Sequence, residues 1–211
     1  MTVFRQDSGT IPDWCELRGF EPVDIAAGAE QQVTRGDLRE IVVATHGTVQ
    51  VDWGSGGQYV AAGQSLSLPE DAAHYFLRAV TRPAYVMRLW GNWGPRIGGV
   101  GVFEVVPNGP AKNFGDPVNY PKQTGVDRHY HDYDEYWIVI EGSGLARIDD
   151  VAVPMRRGDC VATGTGHPHD IQQVHGVFRA IYLETTLRRE ERAGHLWEHV
   201  HGPADPDPDR I

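Results

Sequence analysis

Cysteine is scarce in this 211-residue chain: Cys15 and Cys160 are the only two, and they stand in no metal-type or redox-type spacing. Without a secretory context they define no disulfide framework. Long apolar runs are missing as well, and none approaches the ~18 residues of a membrane span. The start, Met1-Thr2-Val3-Phe4-Arg5-Gln6-Asp7, lacks the apolar stretch of a signal peptide, so a cytoplasmic location is the expectation. Positive charge is in deficit too. The 19 Lys and Arg face 29 Asp and Glu, giving a net charge of −10 and a pI near 5.4. A basic footprint is what phosphate backbones require, so neither nucleic acid nor a membrane is expected as partner.

What is abundant is turn chemistry. The 25 glycines and 14 prolines are spread along the chain, as in a fold of many short elements. β-branched and aromatic runs bounded by Gly predict strands over 38–45, 49–53 and 58–62. The same texture returns over 135–141, 145–149, 151–155, 160–163 and 177–186. The separations Glu40 to Glu135, Gly47 to Gly142, Gly63 to Gly158 and His74 to His169 are all 95 residues. Four matched pairs in one register imply two copies of one β unit. The boundary is expected in Gly91–Gly101, which reads as linker, and Pro107–Thr124 reads as a lid or a packed irregular segment. Residues 188–199 suggest a short helix, and the Pro- and Asp-rich end from Gly202 suggests disorder.

The second copy carries the chemistry. His129, His131 and Glu135 are separated by even numbers, so an extended strand can turn all three to one face. His169 arrives from a later segment that begins at Gly158. Imidazoles and a carboxylate suit a borderline divalent metal. In Gly166-His167-Pro168-His169 the repeat selects His169 through His74, and His167 is expected at the rim. In the first copy Thr34 and Gly36 stand where histidines would be needed. Glu40 and His74 are too few for a tight site, and a structural barrel is expected there. His195, His199 and His201 read as solvated or packing residues.

Together these segments resemble the two motifs of the cupin family. The first, Gly-x5-His-x-His-x3,4-Glu-x6-Gly, is matched by His129, His131, Glu135 and Gly142, with a shorter gap from Gly125. The second, Gly-x5-Pro-x-Gly-x2-His, is matched by Gly158, Gly166 and His169. Gly164 replaces the Pro, and Gln173 stands where the family's downstream Asn would fall. The resemblance spans roughly residues 25–186. It implies an all-β fold of two tandem jelly-roll β-barrels, a bicupin, with barrels at 1–95 and 96–190 and a short helical or irregular tail at 191–211. It also implies one divalent transition metal on His129, His131, Glu135 and His169, with Fe, Mn, Ni, Co and Zn not distinguished.

Strand parity places Trp137 and Gln173 in the pocket, the first as an apolar wall and the second as a neutral hydrogen-bonding group. Tyr130, Tyr133 and Tyr136 fall on the opposite face, where they favour contact with another sheet or with a second subunit of a homodimer. No catalytic acid or base is assigned. Three functions stay open: a sugar or sugar-acid isomerase, epimerase or lyase; a dioxygenase or decarboxylase; and a non-catalytic sensor that binds a metal or small ligand.

Overall fold

A computed structural model describes residues 2–5, 10–107, 115–189, 191 and 204–211. Among these every regular element is a strand, and no helix is long and apolar enough to cross a membrane. The strands are β1 (Thr2–Arg5), β2 (Leu17–Ile25), β3 (Glu30–Thr34), β4 (Arg39–His46), β5 (Thr48–Asp52), β6 (Gly57–Ala61) and β7 (Ser65–Ser67). They continue with β8 (His74–Ala79), β9 (Ala84–Gly91), β10 (Ile97–Val105), β11 (Glu135–Ile148), β12 (Val151–Arg156), β13 (Asp159–Thr163) and β14 (His169–Thr186). They divide between two compact units, Glu16–Trp93 and Gly94–Ile211, the latter joined by the N-terminal residues up to Cys15.

The unit Glu16–Trp93 is two four-stranded antiparallel sheets, ordered β2-β9-β4-β7 and β3-β8-β5-β6. That order is the one a double Greek-key jelly roll has. Its core follows from strand alternation. β8 reads exposed-buried in strict turn, with Tyr75, Leu77 and Ala79 inward. They meet Val42 and Ala44 of β4 and Val49 and Val51 of β5 in one apolar cluster.

The other unit holds a six-stranded sheet ordered β1-β13-β11-β14-β10, with β12 on β11. Here β11 and β14 are long and pair with each other along most of their length, while the other neighbour of β11 changes midway. The first part of β11 lies between β13 and β14, and its later part lies between β12 and β14, with register shifts from Val139 to Ser143. Gly142, at φ 78°, marks the bend, as Gly47, at φ 72°, marks the junction of β4 and β5. A left-handed backbone at both corners is why glycine recurs there.

Pairing within each unit carries the repeat. Thr48 pairs with Ala61 and Ser143 with Arg156; Val49 pairs with Ala79 and Gly144 with Val174. Three expectations are corrected. Gly91–Gly101 is not all linker, because Ile97 onward is β10. β1, read with the first copy, pairs with β13 of the second copy, Phe4 opposite Cys160. Residues 204–211, read as disordered, pack instead: Arg210 forms an ion pair with Asp134 and donates to the Trp14 carbonyl at 3.2 Å. The helix suggested over 188–199 and the histidines 195, 199 and 201 lie outside the described residues, apart from Arg188, Arg189 and Glu191.

Candidate metal centre

His129 and His169 lie opposite each other as an isolated bridge, exchanging backbone hydrogen bonds of 3.0 and 2.8 Å. This brings two ligand side chains together before any side-chain interaction is counted. His131 and Glu135 flank a tight loop fixed by Asp134. One oxygen of its carboxylate accepts from the Thr165 amide at 3.1 Å, the other meets Arg210, and its carbonyl accepts from the Thr185 amide at 2.9 Å. His169 is set by its neighbour Asp170, which accepts from Tyr120 at 2.8 Å and pairs with Lys122 at 3.0 Å. Tyr120 and Lys122 belong to the 107–124 loop. Its described part is therefore a packed irregular segment and not a lid.

One ligand atom from each of His129, His131, Glu135 and His169 lies within 4.8 Å of the others. Among the described residues this is the one such group. Nε2 of His131 and of His169 lies 3.0 and 2.8 Å from Glu135 Oε2, and Nε2 of His129 lies 4.0 Å away. The opposite ring nitrogens decide the tautomers. Nδ1 of His129 donates to Asp127 O at 2.8 Å, that of His131 to Tyr133 O at 3.1 Å, and that of His169 to His167 O at 2.8 Å. A carbonyl can only accept, so each Nδ1 carries a proton and each Nε2 is turned inward, donating to Glu135 where it is protonated and offering its lone pair where a cation replaces that proton. Metal-ligating histidines are oriented in this way. Trp137 Nε1 holds the remaining Glu135 oxygen at 2.7 Å, leaving Oε2 for the centre.

The electrostatics agree. Burial, then the positive charge of His169, pushes His129 down to about 3, and burial likewise lowers His131. Burial alone would raise Glu135, but hydrogen bonds and charge from His131 and His169 outweigh it and hold the carboxyl well below its ordinary 4.5. His169 is raised; burial opposes this, and the hydrogen bond and charge of Glu135 prevail. The cluster thus attracts one positive charge to Glu135, which a divalent cation supplies more strongly. The donor set fits such a cation.

A cavity of about 260 Å³ opens on the centre, lined by His129, Glu135, Trp137, Phe103, Val126, Tyr182, Glu184 and two glycines of β10, Gly98 and Gly99. Trp137 is in this wall, as parity suggests. Gln173 is outside it, half-exposed, with its amide 3.4 Å from His175. The cause is a bulge. Ile171 pairs with Ala146 and Gln173 with Leu145, so Gln172 is an extra residue and the alternation flips. Val174 goes inward, and past the exposed 175–177 so do Phe178, Ala180, Tyr182 and Glu184.

That flip is also why Tyr182 and Glu184 escape a reading of the sequence. The repeat cannot rescue them, because its spacing shortens by one after the turn. Ala44 pairs with Val86, whereas Val139 pairs with Ala180. A one-residue deletion near 175–177, recognised against residues 80–83, is the signal that would have exposed them. Glu184 is pushed up to about 7, by burial first and then by the Glu135 charge, and it hydrogen-bonds Tyr133.

Tyr133 also stacks on His131, with centroids 3.8 Å apart. It therefore serves the site and does not face away from it. Tyr130, Tyr133 and Tyr136 are all buried within the single chain and offer no aromatic surface to a second subunit. His167 is buried, not at a rim. Its two nitrogens lie 2.9 Å from Asp149 Oδ2 and 2.9 Å from Asp207 O, so neither is left for a metal.

In the unit Glu16–Trp93, Glu40 and His74 are not brought together. His74 is exposed and meets Thr34 Oγ1 at 3.2 Å. Glu40 is buried and accepts from Arg88 Nε at 2.8 Å, from the Gly36 amide at 2.7 Å and from the Tyr75 hydroxyl. A Cβ on Gly36 would lie 2.5 Å from the Trp90 ring, so Trp90 occupies the space a side chain there would need.

Comparison with known proteins places these observations. A family model described as "Cupin domain" matches residues 118–184. The uncharacterized protein y4oW of Sinorhizobium fredii (strain NGR234) is 41% identical over 211 residues, covering 100% of this chain and 97% of that protein. The structure of YhaK from Escherichia coli superposes with a TM-score of 0.58 at 16% identity, over 88% of this chain and 93% of that one. Oxalate decarboxylase from Bacillus subtilis gives 0.56 at 10% identity, over 79% and 69%. At such identities the two structures show the shared fold alone.

Proposed function

We propose that this chain, whose residues 118–184 match the cupin domain, is a cupin and a metal-dependent enzyme acting on a small oxygen-rich molecule. One divalent transition metal would be held by His129, His131, Glu135 and His169. The observation that carries the reading is the ring orientation: three Nδ1 atoms committed to carbonyls leave three Nε2 atoms converging on one carboxylate oxygen. Bound there, the metal would polarise a carbonyl or hydroxyl oxygen of the substrate. The chain's own residues do the rest. Trp137 fixes the Glu135 oxygen and walls the cavity, Phe103 and Val126 exclude water, and Tyr182 and Glu184 offer polar contacts.

Isomerisation, epimerisation or lyase chemistry on a sugar or sugar-like molecule is the first reading, supported by the polar groups around the centre. The unit Glu16–Trp93 would be a second cupin barrel without metal, making the chain a bicupin. Support comes from the repeated pairing registers and the matched glycine bends. Elemental analysis of purified protein tests the core of the proposal. One metal per chain, lost in Glu135→Ala and kept in Glu40→Ala, is the expected result. Protein that neither contains nor is stabilised by any divalent ion would refute it. Oxygen consumption by the iron form would move the reaction from isomerase or lyase to dioxygenase.

A further inference from the structure

Glu184 lies directly opposite Glu135 in the β11–β14 ladder, and Trp137 lies opposite Tyr182. Cross-strand partners share a face, so two carboxylates point into one cavity from adjacent strands. Like charges so placed repel, and a fold retains them where something else uses them. Glu135 is used by the histidines. Glu184 is not in the metal-ligating group, yet a site has been shaped around it. Gly99 lies opposite it, and a Cβ there would come 2.8 Å from Glu184 Oε2. A Cβ on Gly98 would come 2.5 Å from the Tyr133 ring and 2.8 Å from Glu184 Cβ. Two glycines therefore make room for the carboxylate and for the tyrosine that hydrogen-bonds it. A carboxylate has about four lone-pair sites, and one hydrogen bond from Tyr133 leaves acceptor capacity toward the cavity.

We infer that Glu184 makes this cavity selective for neutral hydroxycarbonyl compounds over carboxylate-bearing ones. The inference rests on the metal reading above and narrows its substrate class from sugars and sugar acids to the uncharged members. Two carboxylates facing one cavity offset the charge of a divalent ion, and a second anion entering between them meets no net attraction. A hydroxyl, by contrast, can place an oxygen at the metal end and donate a neighbouring proton to Glu184. At about 260 Å³ the cavity is smaller than drug-sized pockets and suits a metabolite-sized molecule.

The test uses azide as a minimal anion and the cobalt-substituted full chain, with visible absorption as the readout at pH 8. Wild-type protein and Glu184→Gln should each hold one cobalt, and the variant should bind azide about tenfold or more tightly than wild type. Glu104→Gln, which removes an exposed carboxylate of β10, should leave azide affinity unchanged. Equal azide affinities in wild type and Glu184→Gln, or no azide binding by Glu184→Gln, overturns the inference. Equal tightening in Glu104→Gln also overturns it, because the effect is then general charge. Loss of cobalt from Glu184→Gln overturns it by making Glu184 a ligand. Wild-type protein that takes no cobalt refutes the metal reading, and the inference falls with it.

Discussion

Glu40 and Glu135 stand at the start of equivalent strands, yet their buried carboxylates are satisfied differently. In the Glu16–Trp93 unit the cation is part of the chain. Arg88, opposite Val42, donates to Glu40, to Glu21 and to the Thr34 carbonyl, and lies 5.3 Å from the Trp90 ring. In the other unit the residue opposite Trp137, the counterpart of Val42, is Tyr182. It brings no guanidinium, and Glu135 is met instead by His131, His169 and Trp137. Trp90 opposite Glu40 fills its space, whereas Glu184 opposite Glu135 borders a cavity. The same strand framework thus becomes a plugged core or an open site through two positions on one strand, together with Thr34 and Gly36 in place of His129 and His131.

The difference is sharpest in metal content. Glu135→Ala should take bound metal from one per chain to near zero by mass spectrometry. It should also abolish the melting shift on adding metal, worth about 4 kcal/mol at a thousandfold excess over Kd. Glu40→Ala should change neither.

Breaking the internal cation should show in stability instead. Arg88→Ala leaves Glu40 buried without its partner and is expected to cost about 3–5 kcal/mol in urea unfolding. The double variant Glu40→Leu/Arg88→Met should recover most of that loss, since replacing both charges by apolar groups removes the desolvation cost. Full retention of stability in Arg88→Ala would remove the argument that the guanidinium stands where a metal would.

Acid should separate the units as well. In metal-free protein, Glu135 below its ordinary 4.5 adds stability that is present above that value and lost as pH falls through the depressed one. His129, lowered from 6.5 to about 3, stays neutral while the unfolded chain binds a proton, so it too loses stability between those values. His131 acts in the same direction. His169 is opposite in sign: its raised value adds stability below 6.5, which is lost as pH rises through the folded value. Hydrogen exchange on metal-free protein should show strands β11 and β14 losing protection between pH 6.5 and 3 before β4 and β9 do.

The copy containing the site was readable because its four ligands keep motif spacing through a short loop and one tight turn. The strands were readable because alternation and glycine punctuation survive in both copies. What escaped did so for two physical reasons. The bulge at Gln172 inverted the parity from which Gln173 was placed inward, and it sent Tyr182 and Glu184 in instead. Separately, β10 resembles linker because its glycines yield space to neighbours: a Cβ on Gly101 would lie 2.9 Å from the Tyr182 ring. Glycine there records what the adjacent strand carries, a signal invisible along one chain.

The smallest effects concern histidines outside the centre. His167→Ala should keep one metal per chain and lose about 1–3 kcal/mol, for two buried hydrogen bonds. His74→Ala should stay within about 0.5 kcal/mol of wild type, being exposed. Metal loss in His167→Ala with retention in His169→Ala would reverse the assignment of the fourth ligand.

The partners of β1 have a consequence for the order in which the protein is made. Phe4 must wait for Cys160, and Asp134 for Arg210, before either finds its contact. Strands of Glu16–Trp93 pair only among themselves. On the ribosome that unit can close early, whereas the one with the candidate metal centre stays incomplete until Arg210 has been translated. Its first strand is then held unpaired across the whole synthesis of its neighbour, a long closure whose entropy is met only at the end.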